Sequence, residues 1–452
     1  MSSILQERGF PAENPLTSYW LQDPHRLASF RCSDEVPDQC DIAIIGTGLA
    51  GVATAYHILS DPNLRKKPNI VLLEARQACA GATGRNGGHL KLATRIAQHF
   101  GAKYDPREMA EIIDNQLDQI TALQEVVEKE KIDCEFRVTR SFDIFFDEDD
   151  AREAHEFVVS RQAEGASWAQ HITWIDASES DKITGIKDTK GALSVPAASL
   201  WPYKLVTALL SRVVEMGGKL FTETYVTEVE ELAGHTKLTT SRGALNTKKT
   251  IFATNAYTAA LLPQYKDVIT PFKGQNSHLS PSPSFQVPKS LDHTYNLHFD
   301  KKYADYLNPR PDNSIILGGG KWTYEDKIDR AEWWNTTDDT KLINDASTEH
   351  FDTVMATHFQ GWEKAEAHHD FVWTGIMGET PDALPHVGLV PGSRNQWILA
   401  GFNGAGMTMI FTSARALTKM VMHEVVYEDT DIPILFKTTS DRLLVKNPSL
   451  SA

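Results

Sequence analysis

The sequence contains few cysteines, and their spacing suggests neither a metal site nor a disulfide framework. Its 452 residues include Cys32, Cys40, Cys79 and Cys134, which form no CxxC pair and no other metal-ligand pattern. In a chain of this length, isolated cysteines are typical of reduced thiols in the cytoplasm. We therefore expect a cytoplasmic protein without a bound metal.

The scarcity of positive charge and of long apolar runs excludes two classes of partner. The formal net charge is −15, whereas nucleic acids and anionic membranes attract proteins rich in lysine and arginine. No apolar run reaches the roughly 20 residues that a membrane-spanning helix needs. The start, MSSILQERGFPAENP, is unlike a secretory signal, and the end, NPSLSA, is unlike a peroxisomal one. We expect a small-molecule partner; no oligomeric state is predicted.

The order of elements predicts an α/β protein with two interleaved domains. A chain of 452 residues is too long for one compact core. Ile42–Ile45 and Ile70–Leu73 are apolar runs typical of buried strands, and helical spacing of apolar residues spans Leu49–Leu59. This strand–helix–strand unit builds parallel sheets. Another unit of this kind, with a strand, a glycine-rich turn and a helix, occupies residues 396–425. Most of the segments between the two units are of β type.

Further helices are predicted between these two units. An amphipathic pattern covers residues 106–131, and a second helix falls near residues 150–165. Residues 201–218 have a proline at their second position and end at paired glycines, which are helix start and stop signals. A tryptophan-rich helix is expected within residues 265–379.

Three glycines directly after the first strand fit the dinucleotide-binding pattern GxGxxG. Gly46 is expected to make the tight turn, Gly48 to admit a pyrophosphate, and Gly51 to let the helix pack on the strand. Glu74, about 20 residues further on at the end of the next strand, is placed to bind a ribose hydroxyl. A carboxylate there disfavours the 2′-phosphate of NADP. A glycine-rich turn that binds nothing is the disfavoured alternative.

Two more glycine-rich segments predict a dinucleotide longer than NAD. GATGRNGGHLK, residues 81–91, follows the second strand, and GFNGAGM, residues 401–407, precedes the last helix. FAD lies extended, so its diphosphate, ribityl chain and ring each need close approach of the backbone. A helix N-terminus at the ring's N1–C2=O edge would stabilise the negative charge of the reduced flavin. A simple tight turn is the alternative for the last segment.

These segments resemble the D-amino-acid oxidase (DAO) family of flavin amine oxidases. GATGRNGG in particular resembles the γ-glutamylputrescine oxidase branch, and sarcosine and glycine oxidases are other members. The resemblance is dense at residues 40–91 and 380–425 and thinner at 196–276. It rests on DIAIIGTGLAGVATAYHIL, IVLLEAR, GATGRNGGH, TIFATNAYT, PFKGQ, ETPDALPHVGLVPG and ILAGFNGAGMTM.

The resemblance implies a glutathione-reductase-type Rossmann domain for FAD, interleaved with a β-rich α+β substrate domain that covers the flavin. Residues 1–39 carry proline and aromatic residues without clear periodicity, so we expect them to form an ordered N-terminal arm rather than a domain. The FAD-binding domain would comprise residues 40–105, 196–264 and 380–452, and the substrate domain residues 106–195 and 265–379.

The resemblance also implies cofactor contacts by motif position. FAD is expected to be non-covalent, because WTGIMGETPD has no cysteine where some sarcosine oxidases attach it. Asn255 departs from the family pattern, which often has glycine there. The implied cofactor-binding residues are Gly46, Gly48, Leu49, Ala50, Gly51, Glu74, Ala75, Arg76, Gly81, Ala82, Thr83, Arg85, Asn86, Gly87, Gly88, His89, Val226, Thr254, Asn255, Gly404, Ala405, Gly406, Met407 and Thr408.

In this family the flavin carries the reaction. The implied activity is oxidation of an amine or amino acid to an imine by hydride transfer to flavin N5, followed by hydrolysis and re-oxidation by oxygen or another acceptor. Lys321, in ILGGGKW, resembles a lysine that promotes oxygen reduction; a solvated lysine is the alternative. His89 is a second catalytic candidate or a structural histidine. Arg310 and Arg330 are the arginines available to bind a substrate carboxylate, but nothing in the surrounding sequence favours either of them for this role.

Two other functions stay open at this point. A flavin monooxygenase or halogenase begins with the same motifs, but it uses NAD(P)H and usually carries a GD motif where this chain has AGFNGAGM. The other alternative is an interaction or assembly protein in which the bound FAD has only a structural role.

Overall fold

The computed structural model describes residues 7–92, 94–287 and 291–447, and their strands form two sheets. In chain order the strands are β1 (Gln39–Ile45), β2 (Ile70–Leu73), β3 (His89–Lys91), β4 (Arg137–Phe145), β5 (Thr173–Ile175), β6 (Gly191–Ser199), β7 (Lys219–Phe221), β8 (Val226–Leu232), β9 (His235–Thr240), β10 (Gly243–Phe252), β11 (Thr270–Ser280), β12 (Thr294–His298), β13 (Ala304–Pro309), β14 (Ile315–Gly319), β15 (His368–Glu379), β16 (His386–Leu389) and β17 (Gln396–Ala400). The α-helices are α1 (Leu49–Ser60), α2 (Thr94–Lys103), α3 (Pro106–Glu130), α4 (Glu148–Ala163), α5 (Ala177–Thr184), α6 (Pro202–Glu215), α7 (Asp345–His358), α8 (Ile410–His423) and α9 (Ser440–Leu444).

Parallel strands from distant parts of the chain form the centre of the first sheet. The strand order is β16-β17-β10-β1-β2-β7, in which all neighbours except β16 and β17 are parallel. Strands β8 and β9 extend this sheet from β10 in antiparallel fashion. The runs Ile42–Ile45 and Ile70–Leu73 pair with each other and are buried along their whole length. Continuous burial explains why neither run alternates between apolar and polar residues.

Helix α1 connects β1 to β2 and is enclosed on almost every side. All of its residues except His57 and Ser60 are buried, because α6 and α8 pack against it, and α3 packs on α8 in turn. None of the helices within the described residues is both long and apolar enough to cross a membrane.

The second sheet is mostly antiparallel. Its strand order is β15-β11-β14-β13-β12-β4-β6-β3, with β5 beside β6, and α7 packs on β11 and β15. Strand β3 forms the last three residues of the glycine-rich segment at residues 81–91. That segment therefore leads from the end of β2 in the first sheet to the edge of the second sheet, and it joins the two.

The predicted fold class is confirmed: the protein is α/β, with two interleaved sheets. Helices α3 and α6 lie where helices are predicted at residues 106–131 and 201–218. The predicted domain boundaries stay a prediction; β3 pairs with β6 of the second sheet although it lies within residues 40–105.

The prediction of a tryptophan-rich helix is wrong. Trp333 and Trp334 follow a single 3-10 turn at Arg330–Glu332, and the helix of this region, α7, contains no tryptophan. The two indoles pack with Tyr324 and Ile343 in a small separate cluster. The two indoles are therefore buried by residues from separate segments of the chain, and not on the apolar face of one amphipathic helix.

Gly51 is the position in α1 where a side chain cannot fit. A Cβ there would lie 1.9 Å from the Gly46 carbonyl oxygen. We expect Gly51→Ala to lower the free energy of unfolding by about 3 kcal/mol, despite roughly 1 kcal/mol of gained helix propensity. Gly101→Ala in α2 is the matched control, because its Cβ would meet only side-chain atoms of Met109 and Phe157, at 3.3 Å. Chemical denaturation measures both variants; equal stabilities would contradict this packing role.

Candidate functional site

A cavity of about 590 Å³ opens where the first sheet faces the second. One wall is formed by the carboxyl ends of β1 and β2 and by the N-terminus of α1, and the opposite wall includes β11, β13 and β15. Ligands of open α/β sheets bind at the carboxyl ends of the parallel strands. This cavity is therefore the candidate site.

The predicted cofactor residues line this cavity, with the exception of Gly51 and Gly88. Gly51 packs against the turn at Gly46, and Gly88 has a φ of 65° and would place a Cβ 2.4 Å from the Leu200 carbonyl oxygen. Both glycines are thus required by the backbone itself. The predicted residues that line the cavity are Gly46, Gly48, Leu49, Ala50, Glu74, Ala75, Arg76, Gly81, Ala82, Thr83, Arg85, Asn86, Gly87, His89, Val226, Thr254, Asn255, Gly404, Ala405, Gly406, Met407 and Thr408.

Glu74 is held rigidly at one end of the cavity. Its carboxylate accepts hydrogen bonds from the backbone N–H of Thr47 at 2.9 Å, from the Thr47 hydroxyl at 2.8 Å and from the backbone N–H of Arg76 at 3.0 Å. A carboxylate can accept further bonds beyond these three. Glu74 therefore lines the cavity with capacity to accept further hydrogen bonds, and the ribose contact stays a prediction.

The first two glycine-rich segments contact each other at the N-terminus of α1. The backbone N–H of Leu49, in the first turn of the helix, donates to the Thr83 hydroxyl at 3.0 Å. A Cβ at Gly48 would lie 3.0 Å from the same hydroxyl. The second segment therefore crosses directly over the helix end, where an anionic group is stabilised by the helix dipole.

Side chains of the second sheet hold the loop at residues 84–88. Trp373 Nε1 and Asn276 Nδ2 donate to the Arg85 carbonyl oxygen at 2.7 and 2.8 Å. Asn308 Nδ2 lies 2.8 Å from the carbonyl oxygens of residues 87 and 88. The position of this loop is therefore set by the second sheet as well as by the strand that precedes it.

The Arg85 guanidinium donates hydrogen bonds to protein acceptors, and the charge that the sequence predicts it to add along the phosphates stays a prediction. Its Nε donates to the Ala80 carbonyl oxygen at 2.8 Å and its Nη1 to that of Thr374 at 2.9 Å, and Nε lies 3.7 Å from Asp339. Burial lowers the pKa of Arg85 to about 10, although Asp339 opposes this effect. Because these acceptors surround the group, we assign it to holding the loop.

The third glycine-rich segment is fixed by an asparagine far away in the sequence. Asn255 has a φ of 43°, and its Oδ1 accepts hydrogen bonds from the backbone N–H groups of Gly401 and Phe402 at 3.0 and 3.3 Å. Asparagine tolerates the left-handed conformation better than most residues. The departure from the family's glycine is therefore compatible with a tight turn, and it adds two hydrogen bonds.

Gln119 of α3 also supports this turn, and the sequence analysis misses it. This fully buried side chain donates from Nε2 to the Met407 carbonyl oxygen at 2.9 Å. Its Oε1 accepts from the backbone N–H of Thr412, in the first turn of α8, at 2.9 Å. The signal that could have found it is a glutamine beside the apolar stripe of an amphipathic helix.

The two predicted catalytic residues, His89 and Lys321, both line the cavity. His89 Nε2 lies 2.7 Å from the Thr294 hydroxyl. Burial lowers the pKa of His89 to about 3, with a smaller contribution from the charge of Lys91, so the ring is neutral at physiological pH. The Lys321 ammonium lies 2.7 Å from Glu325, and 44% of its side chain is exposed. Neither geometry establishes a catalytic role, which stays a prediction.

Lys91 is a second ammonium on the cavity wall, and it is absent from the sequence-based candidates. Its Nζ lies 2.9 Å from Oδ1 of Asp143, a fully buried carboxylate that also accepts from Thr94 and Asn296. Burial opposes ionisation of Asp143, but Lys91, His298 and Thr94 hold its pKa below the usual range. Burial lowers the pKa of Lys91, and the Asp143 carboxylate opposes this effect. The structure therefore places an ammonium–carboxylate pair at this end of the cavity.

Neither arginine considered for a substrate carboxylate lines the cavity. Arg310 is buried, is paired with Glu135 and lies 5.0 Å from the Trp20 ring. Arg330 lies 4.6 Å from the Trp334 ring. Both guanidinium groups are therefore engaged elsewhere.

The lining fits an extended dinucleotide such as FAD. Gly81 has a φ of −80°, which any residue can adopt, and a Cβ there would meet no atom within 4 Å. The fold itself does not require this glycine, whereas a ligand lying against the backbone would. Glu74 and the turn at residues 404–408 bound the same cavity. No cysteine is present in the described lining, which fits FAD held without a thioether bond.

A family model described as FAD dependent oxidoreductase (DAO) matches residues 41–420. This range includes nearly all strands of both sheets and leaves the N-terminal arm outside it.

Individual proteins are similar to the chain at lower identity. Gamma-glutamylputrescine oxidoreductase of Escherichia coli (strain K12) is 20% identical over 424 residues, which cover 90% of this chain and 88% of the relative. A protein of Bacillus subtilis (strain 168) named as a Rieske 2Fe-2S iron-sulfur protein is 25% identical over 249 residues, 53% of this chain. The match spans 44% of that relative, less than half of its length. Glycine oxidase from Geobacillus kaustophilus has a TM-score of 0.72 at 17% identity, with 89% of this chain and 99% of the other covered, and so shares the fold.

Gly81 is the position where a side chain should affect FAD without affecting the fold. We predict that Gly81→Ala lowers the affinity for FAD about tenfold, because the methyl group occupies space that the structure leaves open for a ligand. The thermal unfolding temperature of the FAD-free protein should not change. Fluorescence titration of the FAD-free protein and a thermal scan test the two parts. An unchanged affinity would contradict the placement of FAD against this residue.

Proposed function

The chain belongs to the DAO family of FAD-dependent oxidoreductases, and we propose that it oxidises a C–N bond of a small amine or amino acid. The observation that carries this proposal is a single cavity that joins three glycine-rich segments to a polar and aromatic wall of the second sheet. Similar proteins named glycine oxidase and gamma-glutamylputrescine oxidoreductase support the choice of an amine.

The chemistry that FAD supplies when bound is acceptance of a hydride equivalent at N5 from the carbon next to nitrogen, which leaves an imine for water to hydrolyse. The chain must then hold that carbon against the ring and exclude bulk water. Phe272, Tyr306, Tyr324 and Met377 supply large side chains on the cavity wall for this purpose. We assign non-covalent binding of FAD to the three glycine-rich segments and Glu74.

The charges on the cavity wall favour a substrate that carries a carboxylate over a diamine. At the end that faces the second sheet, the described lining contains the ammonium groups of Lys91 and Lys321 and no acidic side chain. Each ammonium has three N–H donors, and one carboxylate contact leaves donors for a ligand. A second amino group of a substrate would meet like charge there, whereas a carboxylate would be bound.

Lys321 is our candidate for the group that assists re-oxidation by oxygen. An ammonium stabilises negative charge that develops on oxygen, and Lys321 is the more exposed of the two lysines. His89 is neutral, so we assign it hydrogen bonding rather than charge stabilisation.

The direct test is reduction of the purified protein by substrate in the absence of oxygen. We predict a yellow protein whose visible flavin absorption is bleached by an amino acid or another carboxylated amine, and whose colour returns when oxygen or another acceptor is admitted. The titration should include D- and L-amino acids, N-methyl amino acids, primary amines and polyamines. Bleaching by NADH or NADPH and by no amine would contradict the proposal and indicate a monooxygenase. No bleaching by any of them would indicate a structural FAD.

Lys91 should determine the preference for a carboxylate. We predict that Lys91→Met raises KM about 10- to 100-fold for an amino acid, because a charge-assisted hydrogen bond is lost, and leaves KM for the corresponding amino-acid amide unchanged. Because the single variant leaves Asp143 buried without its partner, Lys91→Met with Asp143→Asn is the balanced control and should show the same change. Steady-state kinetics with the acid and the amide measure the preference. Equal effects on both would refute this role.

A further inference from the structure

The N-terminal arm, residues 7–38, lies ahead of β1 and outside the range of the family model. We propose that this arm is a working part of the FAD site: Ser18 and Trp20 position the loop at residues 84–88, and Phe10 forms part of the wall near Glu74. The proposal concerns cofactor binding, and it does not depend on which amine is oxidised.

Two buried side chains of the arm bind the loop directly. The Ser18 hydroxyl donates to the Gly84 carbonyl oxygen at 2.5 Å, and Trp20 Nε1 donates to the Asn86 carbonyl oxygen at 2.6 Å. Both side chains have no exposed surface. With the donors from the second sheet, every carbonyl oxygen from residue 84 to residue 88 is bound by a side chain from outside the loop.

These contacts determine the direction in which the loop presents its backbone. In a trans peptide the carbonyl oxygen and the following N–H point to opposite sides. Trp20 does not line the cavity, whereas Asn86 and Gly87 do. The bond from Trp20 to Asn86 therefore turns the N–H of Gly87 toward the cavity side and keeps a carbonyl oxygen, which would repel phosphate, away from it.

The loop reaches the end of the cavity that faces the second sheet. A Cβ at Gly87 would lie 2.2 Å from the Tyr306 ring, and the chain continues into His89 and Lys91 of β3. Glu74 lies at the other end, where it is placed for the adenosine ribose. Loss of the Trp20 contact should therefore weaken the binding of the flavin half of FAD and should not change the binding of the ADP half.

A second part of the arm is pinned at the Glu74 end. Phe10 is 3% exposed and lines the same cavity as Arg76. Arg76 Nη1 donates to the Ala12 carbonyl oxygen at 3.4 Å, and the backbone N–H of Leu16 donates to the Asp339 carbonyl oxygen at 2.8 Å. The arm thus lines the cavity at Phe10 and Pro11 and contacts the loop at residues 84–88 through Ser18 and Trp20.

The test is the affinity of the FAD-free full-length protein for FAD and for ADP. We expect Trp20→Phe to weaken FAD binding about 3- to 10-fold, the loss of one hydrogen bond, and to leave ADP binding unchanged. Phe10→Ala should weaken the binding of both FAD and ADP.

Trp168→Phe is the matched control, because Trp168 is equally buried and its Nε1 has no hydrogen-bond partner. This variant should bind both ligands like the wild type. The absorption spectrum of bound flavin should shift in Trp20→Phe only.

Ser18→Ala keeps the proposal testable if Trp20→Phe does not fold. It should reproduce the selective loss of FAD affinity, and Ser180→Ala, which removes a buried hydroxyl without a partner, should not. Wild-type FAD affinity in Trp20→Phe and in Ser18→Ala would overturn the proposal. Equal losses in the Trp168 control, or parallel losses of FAD and ADP in Trp20→Phe, would also overturn it, because they would show general destabilisation. Selective loss of FAD affinity supports it even if no amine is oxidised.

Discussion

The buried carboxylate of Asp339 is the interaction on which the arrangement of the site depends. It lies 2.9 Å from Arg76 Nη1 and 3.7 Å from Arg85 Nε, and the carbonyl oxygen of the same residue binds the arm at Leu16. Asp339, which lies in the segment that precedes α7, therefore connects the end of β2, the glycine-rich loop and the N-terminal arm. A buried carboxylate left without partners costs several kcal/mol, so these segments must come together in one arrangement.

Glycines surround the cavity for two different physical reasons. Gly51 and Gly88 are required by the fold, because a Cβ would collide with backbone oxygens at 1.9 and 2.4 Å. Gly81 is not required in this way: a Cβ there would meet no atom within 4 Å, and we propose that the cofactor lies against it. Their common feature is that the main chain itself forms the wall, which brings N–H groups and helix ends within reach of a phosphate-bearing cofactor.

The two ends of the cavity differ in charge, and each charge is balanced just outside the wall. Glu74 is held by backbone and hydroxyl donors at one end. At the other end Lys91 and Lys321 each contact a carboxylate, of Asp143 and Glu325 respectively. The cavity therefore has a carboxylate at one end and, at the other, two lysines that are paired with carboxylates.

The sequence by itself determined the elements whose signals are local. The apolar strands, the helix between them, the three glycine-rich turns and Glu74 are all recognisable within short windows, because a turn between a buried strand and a helix restricts both conformation and residue type. Tertiary structure alone decided what meets these turns: Gln119 at the last turn, Lys91 at the cavity and Trp20 behind the loop. It also turned the Arg85 guanidinium toward Asp339. Such contacts join residues from 52 to 288 positions apart, and their geometry depends on how the two sheets pack, which no short stretch of sequence encodes.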